Sequence, residues 1–151
     1  MAYVRLDKVK GSAHLESFVA NTDLKNGGFI ALGDLQADGE ARLGTPSGDV
    51  TKNLVFHASV PLTYEERTNE LDFVLKAGKV GRGYVIEAGD IVSVSLDGIV
   101  SGTPAKGAKV APHADGFSIP ATAPTAGLRG EIIAIETDLY AGQLAVIRFT
   151  V

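Results

Sequence analysis

The chain has 151 residues, of which 45% are hydrophobic, and a formal net charge of −4. That length predicts one domain with a core of its own, and the apolar content excludes a disordered chain. The absence of cysteine excludes a disulfide framework and a thiolate metal site, and an acidic balance argues against nucleic acid as a partner, because phosphates repel it.

No apolar run approaches the ~20 residues that span a bilayer, so no membrane partner is expected. Residues 1–7 carry no basic region followed by an apolar segment, so no signal peptide is expected either. Residues 3–6 alternate well enough for a short strand. Residues 13–20 alternate weakly and read as a second strand, although Leu15 and Val19 also stand at helical spacing. Residues 28–35 read as a buried strand. Residues 36–51 hold Gly39, Gly44, Pro46 and Gly48, which mark loops or a loose hairpin.

Residues 54–60 form a strand that Pro61 ends, since proline has no ladder donor. Residues 62–69 read as a helical turn or an acidic loop, with Thr63 as N-cap and Glu66 as its capping-box partner. Residues 71–75 alternate again. The stretch Gly78-Lys79-Val80-Gly81-Arg82-Gly83 lacks the Gly-Lys-Ser/Thr ending of a phosphate loop and reads as a flexible connector. Residues 84–86 and 91–96 then read as two strands around a Gly89-Asp90 turn, with Val92, Val94 and Leu96 as the core face.

Residues 98–130 carry four prolines and read as a long Pro/Gly-rich excursion or extended loop, with short strands at 109–111 and 117–119. Residues 130–137 and 144–151 form the last two strands, joined by a turn at 138–143. Three phrases share one form, Leu24-Lys25-Asn26-Gly27, Leu75-Lys76-Ala77-Gly78 and Leu139-Tyr140-Ala141-Gly142. In each, a leucine opens a turn that glycine closes before an apolar segment. Their uneven spacing excludes a solenoid period. About eight to ten short strands with little helix predict an all-β domain over 1–151, either a small β-barrel or a β-sandwich.

The chemistry is sparse. His14, His57 and His113 lie far apart in sequence, and His57 is expected to be an ordinary strand histidine. Glu65, Glu66, Glu70 and Asp72 read as a solvated face. There is no nucleophile elbow. The chain is therefore expected to be no enzyme and to need no metal or cofactor.

One resemblance extends the reading. The opening Tyr3-Val4-Arg5-Leu6-Asp7-Lys8-Val9-Lys10, the strand Gly28-Phe29-Ile30-Ala31-Leu32-Gly33-Asp34-Leu35, the phrase from His57-Ala58-Ser59 to Glu65-Glu66-Arg67, and Leu75-Lys76-Ala77-Gly78 through Glu87-Ala88-Gly89-Asp90 together resemble small structural proteins of tailed bacteriophages. The resemblance covers roughly the first hundred residues and includes no catalytic motif. It implies a capsid decoration or cement protein, made in the host bacterial cytoplasm and carried on the virion's capsid surface. Its implied partners are the major capsid protein and further copies of itself, most often as a trimer.

Such a role gives residues 1–10 a use as an N-terminal arm, with Tyr3, Val4, Arg5 and Leu6 as the capsid or subunit contact. An ordinary edge strand within the chain's own barrel is the equal alternative. A tail or head–tail connector component is the second reading. A carbohydrate-binding module or small hydrolase is the third, weakened by the absence of tryptophan.

Overall fold

The computed structural model describes residues 3–9, 15–37, 39–59 and 73–150. They form an all-β protein in which a closed barrel packs against an open sheet. The barrel holds β2 (Leu15–Val19), β3 (Phe29–Leu35), β4 (Arg42–Pro46), β5 (Leu54–His57) and β6 (Val80–Tyr84), in the order β2-β4-β3-β5-β6. The sheet holds β1 (Val4–Lys8), β7 (Ile91–Ser95), β8 (Ile99–Ser101), β9 (Lys109–His113), β10 (Gly116–Ser118), β11 (Arg129–Asp138) and β12 (Gly142–Thr150), in the order β1-β7-β12-β11-β9-β10-β8. The pairs β2–β4 and β8–β10 are parallel and the others antiparallel.

The start of β3 and most of β5 are buried on both faces, which is why Phe29-Ile30-Ala31-Leu32 reads as an unbroken apolar run. Ile30 and Val55 point into the barrel, where they meet Phe18, Leu24 and Leu75. Their neighbours Phe29 and Phe56 point the other way and join the core of the sheet. Phe29 sits 5.3 Å from Phe56, 5.3 Å from Phe117 of β10 and 6.3 Å from Phe149 of β12, measured between ring centroids. This aromatic cluster joins the two halves of the protein.

Several expectations need correction. The connector expected at 78–83 is largely strand β6, and its glycines have a steric purpose. A Cβ at Gly81 would lie 2.6 Å from Leu75 Cδ2 and 2.7 Å from Phe18 Cζ, and one at Gly83 would lie 2.4 Å from Val55 Cγ2. A five-stranded barrel is narrow, so glycine on the wall makes room for Phe18 and Val55 inside. Gly83→Val is therefore expected to destabilise the fold by about 1–3 kcal/mol or more, read as a lower urea midpoint, whereas an unchanged midpoint would mean an open barrel interior.

The expected hairpin around Gly89-Asp90 is a crossover. Tyr84 ends a barrel strand and Ile91 begins a sheet strand, so the two segments do not pair. The turn chemistry itself is as expected, with Gly89 at φ 92° and Asp90 Oδ2 accepting the Glu87 N–H at 2.9 Å. The Phe149 main chain pins this turn to β12. Val92 and Val94 are core, and Leu96 is half-buried against it. Ser93 and Ser95, on the opposite face, are buried too, and Tyr3, Arg5 and Asp7 hydrogen-bond their hydroxyls.

Within 98–130 the excursion is shorter than expected. The segment contributes β8, β9, β10 and the start of β11, and Val110 and Phe117 are core residues. The stretches 102–108 and 119–128 are without strand. Over 15–19 the strand reading holds, and Phe18 rather than Leu15 carries the burial. Residues 36–51 include β4, which closes a hairpin with β3. The acidic stretch 62–69, His14 and residues 71–72 of the strand expected over 71–75 lie outside the described residues; residues 73 and 74 are not strand, and Leu75 forms only a bridge with Leu24.

Candidate assembly surface

The four residues singled out as a contact lie at one edge of the sheet. Val4–Lys8 is an edge strand paired with β7, in register Val4↔Val94, Arg5↔Ser93 and Leu6↔Val92, so the segment is docked in its own fold. Ser95 N–H donates to the Tyr3 carbonyl at 2.9 Å. Antiparallel ladders alternate, so Arg5 turns its main-chain groups toward β7 and Val4 and Leu6 turn theirs outward. A bulge at Asp7 follows. Val4 and Leu6 side chains pack on the sheet core, while Arg5 and Asp7 lie on the other face.

Arg5 spans that polar face. Its Nε donates to Asp7 Oδ1 at 2.6 Å and its Nη2 to Glu136 Oε2 at 3.1 Å, with Asp138 Oδ2 at 3.9 Å. The Ser93 hydroxyl donates to Asp7 beneath it. One guanidinium thus faces three carboxylates and ties β1 to the far hairpin β11–β12. Asp138 shapes the tip of that hairpin: its Oδ1 accepts the Ala141 and Tyr140 N–H groups, each at 2.8 Å. Those amides, Ala141 first, hold its carboxyl below the usual carboxylate range. Gly142 closes the turn at φ 79°.

The tip leaves apolar surface in water. Leu139 is 105% exposed and Tyr140 52%, with the Tyr140 ring edge-on to Tyr3 at 6.4 Å. The other two Leu-x-x-Gly turns behave differently. Gly27 and Gly78 take φ of 101° and 81°, like Gly142, but Leu24 and Leu75 are 9% and 8% exposed and bond each other across the barrel end. The same turn device is used three times, and in this third copy its leucine is not spent on the core.

A second constellation was missed by reading the sequence. His57 and Ser59 stand two apart on one face of the chain, and His57 Nε2 lies 2.8 Å from Ser59 Oγ. His57 Nδ1 lies 3.0 Å from the Lys25 carbonyl, which can only accept, so Nδ1 carries the proton and Ser59 donates to Nε2. Ser59 Oγ accepts the Arg82 N–H at 3.0 Å, and the Asn26 amide holds both main-chain groups of Ser59. Beside Ser59 opens a cavity of about 780 Å3 with Leu15, Phe73, Leu75, Val80, Lys79 and Arg82 among its walls.

A serine bonded to a histidine suggests an activated nucleophile. The electrostatics argue otherwise. Burial lowers the His57 pKa to about 4, so the ring is a weak base at neutral pH. The Arg82 amide also engages the oxygen that would attack. The arrangement fits a polar lock joining β5, β6 and the 23–28 loop. His113 accepts the Asp115 N–H within its own turn.

The sequence matches no protein-family model and no curated protein.

Proposed function

We propose that the chain is a virion structural protein of a tailed bacteriophage, which binds the outer surface of the capsid and stabilises the shell. The phage assignment rests on the sequence resemblance. The observation that supports adhesion as the mode of action is the full exposure of Leu139, beside half-exposed Tyr140, on a turn whose two counterparts bury their leucine. Apolar anchors surrounded by polar groups are what a protein partner buries. Here the ring of polar groups is Arg5, Asp7, Glu136 and Asp138, and the major capsid protein is the partner the reading assigns. The reading is non-enzymatic, in keeping with a His57–Ser59 pair built as a lock.

The test is to mix the purified chain with mature and immature shells of the phage that encodes it and to measure bound copies. Many copies on mature shells and few on immature ones are expected. The double substitution Leu139→Asp with Tyr140→Ser is expected to weaken binding at least tenfold with an unchanged melting temperature. Binding confined to one vertex or to the tail would overturn the decoration reading in favour of a connector or tail component.

A further inference from the structure

We infer that the β1 edge is a self-association surface, on which two copies of the chain pair antiparallel about a two-fold axis at Leu6. The inference is independent of shell binding and rests on three features of Val4–Lys8. First, among the described strands β1 is the outermost of its sheet, and the main-chain groups of Val4 and Leu6 point away from β7. A ladder centred on Leu6 uses these outward groups: Leu6 bonds Leu6 of the second copy, and the ladder ends at the bulge, beyond which Lys8 pairs with Ile91 and turns toward its own β7.

Second, that register is self-complementary in charge. It sets Arg5 opposite Asp7 of the second copy, and Asp7 opposite its Arg5, in the closely spaced positions of the ladder. Both side chains already lie on the same face of the sheet. A two-fold contact needs a patch complementary to itself, and the five residues Val-Arg-Leu-Asp-Lys satisfy this about their central leucine. Third, Leu6 and Val4 are only half-buried, so apolar surface is left for the second copy to cover. The bulge at Asp7 keeps the ladder short, so pairing depends on concentration. The three-fold assembly implied by the resemblance would have to use other surfaces, and the 138–142 tip remains outside this ladder.

The test uses charge reversal and the chain's lack of cysteine. In sedimentation, the wild-type chain is expected to show a concentration-dependent dimer. The Arg5→Glu variant and the Asp7→Arg variant should each be monomeric at those concentrations, since each sets like charges opposite one another. Their equimolar mixture should recover the dimer, because Glu at 5 in one then meets Arg at 7 in the other; recovery also shows that both variants are folded. Under oxidation, Leu6→Cys should cross-link to itself, with the two Cα atoms ~5.5 Å apart, and Val4→Cys should not. A monomeric wild-type chain, a mixture no more dimeric than its components, or equal cross-linking at positions 4 and 6 would each overturn the inference.

Discussion

Replacing Phe29 with alanine is expected to destabilise the protein by about 3–5 kcal/mol, the range for deleting a fully buried aromatic ring. Phe29 is 0% exposed and meets Phe56, Phe117 and Phe149. The ring leaves a barrel strand and enters the sheet's core, so its loss opens a cavity at the seam and weakens both halves together. In a protein of this size the melting temperature should fall by roughly 10 °C or more. Urea unfolding followed by tyrosine fluorescence and by far-ultraviolet circular dichroism should stay a single transition, shifted to lower urea. A loss below about 1 kcal/mol would mean that barrel and sheet are stable apart and that the aromatic seam is incidental.

The second large effect is acid sensitivity from one histidine. Folded His57 takes up a proton only near pH 4, chiefly because it is buried; its bond to the Lys25 carbonyl acts weakly in the opposite sense. In the unfolded chain the same ring titrates near 6.5. Between these values the unfolded state binds more protons, so stability falls as pH falls. The contribution is fully present above pH 6.5 and is lost progressively toward pH 4, amounting to about 3 kcal/mol over the whole window. By pH 5 the loss should be about 2 kcal/mol. Urea midpoints at pH 7 and pH 5 measure it. His57→Asn should lower the pH 7 midpoint by breaking the lock and should flatten the dependence between the two pH values. An unflattened slope would place the acid sensitivity elsewhere. Asp23, Asp49 and Asp138, whose carboxyls are all held below the ordinary range, add their own losses only at lower pH.

How much of this was legible depended on distance along the chain. Strands that alternate and carry β-branched residues, such as β7 and β12, could be read locally, and so could the all-β class. Strand β6 could not, because its glycines acquire meaning only from Phe18 and Val55, which close the barrel from other parts of the chain. The Gly89-Asp90 turn looks the same locally whether it joins a hairpin or passes the chain from barrel to sheet. Which of the two it does is decided by the pairing of β7 with β1 and β12. Residues 98–130 looked loose because prolines and small residues dominate, yet Val110 and Phe117 suffice to anchor them in the core.

The candidate site was half legible. An N-terminal strand at 3–6 was readable; an edge strand was one of two expectations, but it was expected in the barrel and lies in the open sheet. The tip was not readable, because Leu139 opens a phrase that buries its leucine in both other occurrences. No local signal separates them; Leu24 and Leu75 are buried because they bridge each other, and among the described residues Leu139 has no such counterpart. The pairing of His57 with Ser59 did carry a local signal, since positions two apart on a strand share a face. Its meaning as a lock required the Lys25 carbonyl and the Arg82 amide, which the fold brings in from either side.

The most direct test of adhesion through this surface is a high-resolution image reconstruction of mature shells saturated with the chain. The expected result is density at repeated positions over the whole shell, with Leu139 and Tyr140 buried against the capsid protein. Bound chains whose 138–142 turn faces solvent, held instead through the barrel or the 119–128 segment, would contradict it.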